Sequence, residues 1–172
     1  MMQTAKKRTS ARRRYWLAAL AASIAGSALH FLYVVLPNPL TAFISPINES
    51  VWEHLKLLFF PTLAAAALLS LREPYPHRLW SGFFAAQLAM PTALTAVYYL
   101  LSAGFGVKST AADIALYFAA MFFGFYLAYR LRESGRLERA APWLLLPAAL
   151  YGAALILFTF AAPELPIFRP PV

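Results

Sequence analysis

The chain has 172 residues, of which 61% are hydrophobic and 16% aromatic, and only 13% are charged, against about 25% in an average soluble domain. Together with a mean hydropathy of +0.60, this excludes a disordered chain and makes lipid the solvent to reason with. The net charge of +8 comes from 15 Lys+Arg against 7 Asp+Glu, but the basic residues flank apolar blocks instead of forming a patch, so the expected partner is the bilayer and not nucleic acid. There is no cysteine, which removes disulfides, thiolate chemistry and cysteine metal sites.

A membrane-crossing helix takes about 20 mainly apolar residues. In chain order five stretches qualify: 15–36, 47–71, 79–102, 110–129 and 143–161. Hydrocarbon offers no partner to free backbone groups, so each should be a helix. The connections are short and carry breakers: Pro37, Asn38 and Pro39, then Pro74 and Pro76, Gly104 and Gly106, and Gly135 with Pro142. The expected architecture is an all-α, polytopic membrane helix bundle of about five transmembrane helices. It divides into a basic tail at 1–14, a single transmembrane domain at 15–162 and a short tail at 163–172.

Cytoplasmic loops carry the excess of Lys and Arg. Twelve of the basic residues share one side of a five-span layout: Lys6, Lys7, Arg8, Arg12, Arg13 and Arg14, then Arg72 and Arg78, then Arg130, Arg132, Arg136 and Arg139. Only Lys108 and Arg169 fall opposite, with Lys56 inside the second span. This pattern predicts a cytoplasmic N-terminus and an external C-terminus. Trp16, Trp80 and Trp143 open spans one, three and five at the same boundary, where amphipathic rings settle. The first apolar stretch exceeds the roughly 7 to 15 residues of a signal-peptide core, and no small-residue cleavage site follows it. It is expected to be an uncleaved span.

Small residues recur at four-residue spacing in Ala22/Gly26, Ser23/Ser27, Gly82/Ala86, Ala120/Gly124/Ala128 and Ala148/Gly152. Such faces allow close helix contact, either within the chain or in a homo-oligomer. Pro61 and Pro91 should kink spans two and three and free the carbonyls of Leu57 and Gln87.

One polar segment stands out: Ser45-Pro46-Ile47-Asn48-Glu49-Ser50-Val51-Trp52-Glu53-His54-Leu55-Lys56-Leu57. Ser45 can cap a helix, Pro46 suits its first position, and Glu49 would then fall in the first turn, favoured by the helix dipole. A helix begun there brings Glu49, Glu53 and Lys56 within about 60° of one another and points His54 about 100° away from Glu53. His30 and His54 then lie at matching depth, each about 10 Å below the outer surface, so that they can meet. Asp113 sits three residues into span four, which starts on the same side.

An ionisable side chain within a span costs about 2.5 to 3.5 kcal/mol on insertion scales and often marks function. Their convergence predicts an externally open polar cavity between spans one, two and four, lined by His30, Asn48, Glu49, Glu53, His54, Lys56 and Asp113. Three roles fit it. One is proton-coupled or cation transport or relay through the Asp, Glu and His side chains. Another is an intramembrane metal-dependent hydrolase, with His30, His54 and Asp113 or Glu49 as ligands and Glu53 as base, although no HExxH motif is present. The third is a non-catalytic membrane protein in which a Glu53–Lys56 pair fixes helix packing. The sequence requires no cofactor and names neither a metal nor a catalytic residue.

The segment from Ser45 to Leu57, with Leu29-His30-Phe31-Leu32-Tyr33 before it and Phe60-Pro61 after it, resembles a family of small bacterial integral membrane proteins of unknown function. The resemblance covers most of spans one and two, and the size and layout of the remaining chain are similar. It implies a multi-pass protein of the bacterial cytoplasmic membrane, and no activity.

Overall fold

In the computed structural model the described residues are 2–73, 75–132 and 135–171, those at 2–10, 135–138 and 140 by backbone alone. Pro74, an expected breaker, and the Arg136 side chain lie outside them. No strand occurs among the described residues. The helices are α1 (Met2–Leu29), α2 (Leu32–Val35), α3 (Pro39–Ile44), α4 (Val51–Ser70), α5 (Pro76–Tyr99), α6 (Thr110–Leu131) and α7 (Gly135–Phe160). A π-helical turn, Leu100–Gly104, extends α5, and a 3-10 turn, Pro166–Phe168, follows α7.

Among the described residues five stretches are long and apolar enough to cross a membrane: Ala11–Val35, Val51–Ser70, Pro76–Gly104, Thr110–Leu131 and Ala141–Phe160. The chain is thus an all-helical, multi-span membrane protein, as its apolar blocks predict. The most apolar window of α4 is 56% buried inside the protein, against 28% or less for the other four, which makes α4 the central helix.

Close approach is achieved where the small-residue spacing predicted it. A Cβ added to Gly82 on α5 would lie 2.6 Å from the Ala128 carbonyl oxygen on α6, so α5 and α6 meet backbone to backbone at this point. Gly124 of the same α6 face receives the Met90 side chain. Gly26 lets α1 reach the Leu57 carbonyl of α4, 2.7 Å from a notional Cβ; this is the carbonyl that Pro61 deprives of its helical donor. Gly152 of α7 abuts the Phe59 ring. These small-residue faces are occupied by neighbours within the chain.

The end of the bundle that carries the arginines is closed by a half-buried carboxylate. Glu73, in the α4–α5 connection, lies 2.9 Å from Arg132 at the end of α6 and 3.6 Å from Arg14 of α1. The Arg132 guanidinium also covers the rings of Tyr15 and Tyr129, 5.4 and 5.3 Å from their centroids, a cation–π arrangement that strengthens as water is excluded.

Gly82→Ala should destabilise the bundle by about 1 to 3 kcal/mol, because the Ala128 backbone cannot step aside as a side chain would. At Gly104 an added Cβ meets only the end of the Leu100 side chain, at 3.4 Å. Thermal unfolding in detergent should therefore show a lowered Tm for Gly82→Ala and little change for Gly104→Ala.

Candidate functional site

At the opposite end of the bundle, α4 starts four residues later than the sequence predicts, at Val51 and not near Ile47. The reason is local. Asn48 Oδ1 accepts the Ser50 amide at 2.9 Å, turning the chain, and Ser50 Oγ then caps α4 by accepting the Glu53 amide at 3.4 Å. Ser45, the expected cap, has another task. Its buried hydroxyl donates to the Leu29 carbonyl at 2.6 Å and accepts the Tyr33 amide at 3.0 Å. In an unbroken helix that carbonyl and that amide would bond to each other. Ser45 is a wedge that separates α1 from α2.

The wedge places His30 at the break, directly after α1, while the later start of α4 puts His54 in its first turn. Both histidines therefore lie at helix ends, about one-third exposed, and not deep inside spans as the earlier helix start implied. Their Nε2 atoms approach to 3.0 Å. Glu49, exposed in the turn that precedes α4, brings Oε2 to 3.4 Å from His54 Nε2 and 3.7 Å from His30 Nε2. Glu49 therefore faces the histidines, not Lys56, because it precedes the helix and escapes its periodicity. His54 Nδ1 lies 2.8 Å from the Ser50 carbonyl. A carbonyl only accepts, so this nitrogen carries the proton and the Nε2 lone pair is turned toward His30 and Glu49. His30 Nδ1 is buried, with no hydrogen-bond partner among the described residues.

Glu53 and Lys56 form a separate, closed unit beneath. Lys56 Nζ lies 2.7 Å from Glu53 Oε2 and also donates to the carbonyls of Ala42 at 2.8 Å and Ser45 at 3.3 Å. Glu53 accepts the Ile47 amide at 3.0 Å through Oε2 and the Thr159 hydroxyl at 3.1 Å through Oε1. The Lys56 side chain is 0% exposed and that of Glu53 3%, and each charged group is satisfied several times over. The pair joins α3, the 45–50 segment, α4 and α7. The sequence anticipates the pair by its spacing but does not reveal Thr159, a lone hydroxyl within an apolar helix.

Asp113 does not join either group. It lies exposed in the first turn of α6, with its amide bonded to the Ser109 carbonyl. That is the position in which a carboxylate steadies a helix N-terminus. Asn48 shapes the turn, as described, and faces outward. Of the residues expected to line one cavity, the structure brings together His30, Glu49 and His54 in one place and Glu53 with Lys56 in another.

The C-terminal segment returns to the bundle beside Trp52. Phe168 packs at a tilt against Trp52 of α4, at 4.8 Å between centroids, and meets Phe158 of α7 at 5.5 Å. Residues after α7 thus pack back onto the helices that carry the site.

Among the described residues, the three ligand-type atoms of His30, Glu49 and His54 are the group close enough to hold one metal ion, all within 4.8 Å of one another. Tetrahedral zinc, bonded at about 2.0 to 2.2 Å, holds its ligand atoms roughly 3.3 to 3.5 Å apart. The observed separations of 3.0, 3.4 and 3.7 Å bracket that spacing. The fold and this cluster define a multi-span helical membrane protein with a His–His–Glu group at one end of its bundle. The chain belongs to the Family of unknown function (DUF6512), whose family model matches residues 2–172. No curated protein matches the chain, and no solved structure does.

Removing one partner of the buried pair should be costly, because the other charge stays behind. Lys56→Met should lose about 3 to 5 kcal/mol, and Lys56→Glu more, since it opposes two carboxylates. The double variant Lys56→Met/Glu53→Gln should recover part of the loss. Melting temperatures of the purified variants should fall in the order double variant, Lys56→Met, Lys56→Glu, and an equal Tm for the last two would contradict this electrostatic account.

Proposed function

We propose that this chain is a metal-binding protein of the bacterial cytoplasmic membrane, in which His30, Glu49 and His54 hold a divalent transition-metal ion at the outer mouth of the bundle. The observation that carries the reading is the meeting of three ligand atoms from three separate segments, at 3.0 to 3.7 Å. An exposed glutamate is free to point into water, yet Glu49 turns one oxygen toward both rings. Imidazole with carboxylate suits zinc, and three protein ligands leave a fourth position open to water or a further ligand. The Ser50 carbonyl on His54 Nδ1 is the type of outer contact that fixes the tautomer of a metal-bound histidine.

Binding is better supported than hydrolysis. A hydrolase also needs a general base near the ion, and Glu53 is engaged by Lys56, Ile47 and Thr159. A proton or cation relay is supported less still. Deeper in the bundle the buried Thr62 hydroxyl bonds to Met121 sulfur and Gln87 donates to the Phe59 carbonyl, so neither extends a chain of acids and histidines inward. The ion's role is to clasp the end of α1 to the start of α4.

Protein purified in detergent should carry about one zinc per chain by elemental analysis. After chelation it should bind added Zn²⁺ by titration calorimetry, with affinity lowered about tenfold or more in Glu49→Gln and abolished in His30→Ala/His54→Ala. Equal zinc binding by the parent and the double variant would refute the site, as would no binding by either at millimolar Zn²⁺.

The assignment of this mouth to the outer face rests on the distribution of Lys and Arg. A tag fused after Val172 should be labelled by an impermeant reagent in intact cells. Labelling only after lysis would invert the topology.

A further inference from the structure

We propose that a pocket between α1 and α6, at the basic end of the bundle, binds the headgroup of an anionic phospholipid. The pocket has a volume of about 280 Å³, and its lining includes Arg12 and Trp16 from α1 with Phe125, Tyr126, Tyr129 and Arg130 from α6. It lies at the other end of the molecule from the His–His–Glu group and does not depend on it.

Charge is the first argument. Arg14 and Arg132 share the half-buried Glu73. Arg12 and Arg130 face the pocket, and neither has a carboxylate partner among the described residues. Arg130 is held at the rim by its own helix. It donates to the Tyr126 hydroxyl at 3.3 Å and lies 5.8 Å from the centroid of that ring. One N–H is used in this way, and a guanidinium has five, so the rest of the fork is free for an anion. Two arginines from two helices, with tyrosines between them, suit a phosphodiester, which takes several donors on one group.

Surroundings decide between a lipid and a free phosphate. The pocket opens beside surface that would face acyl chains. Trp16, on its wall, is 36% exposed and packs against Phe122 at 5.7 Å between centroids. At four-residue steps along α1 follow Leu20 and Ile24, 46% and 59% exposed, so one helix face runs from the arginine into an apolar track. A soluble phosphate would use only the arginines, whereas a phospholipid uses both. Basic pockets between transmembrane helices are the usual place for such headgroups.

The test reads Trp16. Protein is placed in phosphatidylcholine vesicles containing increasing brominated phosphatidylglycerol, and Trp16 quenching is taken as the difference between the parent and Trp16→Phe. Brominated phosphatidylcholine is the reference. The expected result is stronger quenching by the anionic lipid, saturating at low mole fraction. Each arginine should contribute roughly fivefold to that preference, the equivalent of about 1 kcal/mol per basic residue at a membrane surface. Arg12→Gln/Arg130→Gln should abolish the preference, and Arg12→Lys/Arg130→Lys should keep most of it. Both arginines are exposed, so an unchanged Tm in lipid-free detergent checks that the fold persists. Equal quenching by both lipids in the parent would overturn the proposal. So would a preference that survives in the glutamine variant, or one abolished by millimolar inorganic phosphate at constant ionic strength, which would assign the pocket to a soluble anion.

Discussion

The contact between Lys56 and Glu53 organises the site end of the bundle. An unpaired charge in a buried position costs several kcal/mol, so both groups must be satisfied wherever the chain folds. Lys56 takes the carbonyls of Ala42 and Ser45, and Glu53 takes the Ile47 amide and the Thr159 hydroxyl. Each of these bonds reaches a different part of the chain. An irregular segment with few apolar contacts is thereby fixed by polar bonds drawn from a helix, and Ser45 is held where its hydroxyl enters the first span.

That placement ties the buried pair to the histidines above it. Ser45 presents its carbonyl to Lys56 and its hydroxyl to the Leu29–Tyr33 gap, so one residue links the charge pair to the break that positions His30. Ile47 and the Asn48–Ser50 turn connect the same pair to Glu49 and to the cap of α4, and His54 follows within one turn. The two half-buried histidines and the exposed glutamate are thus held by a buried support. A metal ligand set requires such support, because ligand atoms must be kept close before the ion arrives.

Much of this was legible in the sequence. Five apolar blocks with breakers between them determine the number of spans, because only helices satisfy their backbone in lipid. The small-residue spacing identifies the faces at which helices touch, Gly82 against Ala128 being the clearest case. The meeting of His30 with His54 and the pairing of Glu53 with Lys56 also follow from position. What could not be read was the start of α4. Two residues in the segment can cap a helix, Ser45 and Ser50, and the choice depends on a tertiary contact, since Ser45 is taken up by the broken end of α1. The helix start in turn decides whether Glu49 shares a face with Lys56 or stands free to join the histidines. Asp113 shows the reverse failing: depth alone placed it beside the site, but a first-turn carboxylate at an exposed helix end already has a sufficient local role.

The two ends of the bundle use charge differently. At the histidine end, Lys56 is buried and matched one to one by Glu53, and the His30, Glu49 and His54 side chains are left near the surface. At the arginine end, one half-buried carboxylate, Glu73, is shared by Arg14 and Arg132, while neighbouring arginines keep their charge for the surface. A membrane surface with anionic lipid adds a few tens of millivolts that favour such cations. The arginines on which the expected orientation rests are thus also the ones proposed to contact a headgroup, while the matched pair at the other end adds no net charge to oppose a divalent ion. Each end is electrostatically suited to one sort of partner, an anion at one and a cation at the other, with α4 as the buried helix between them.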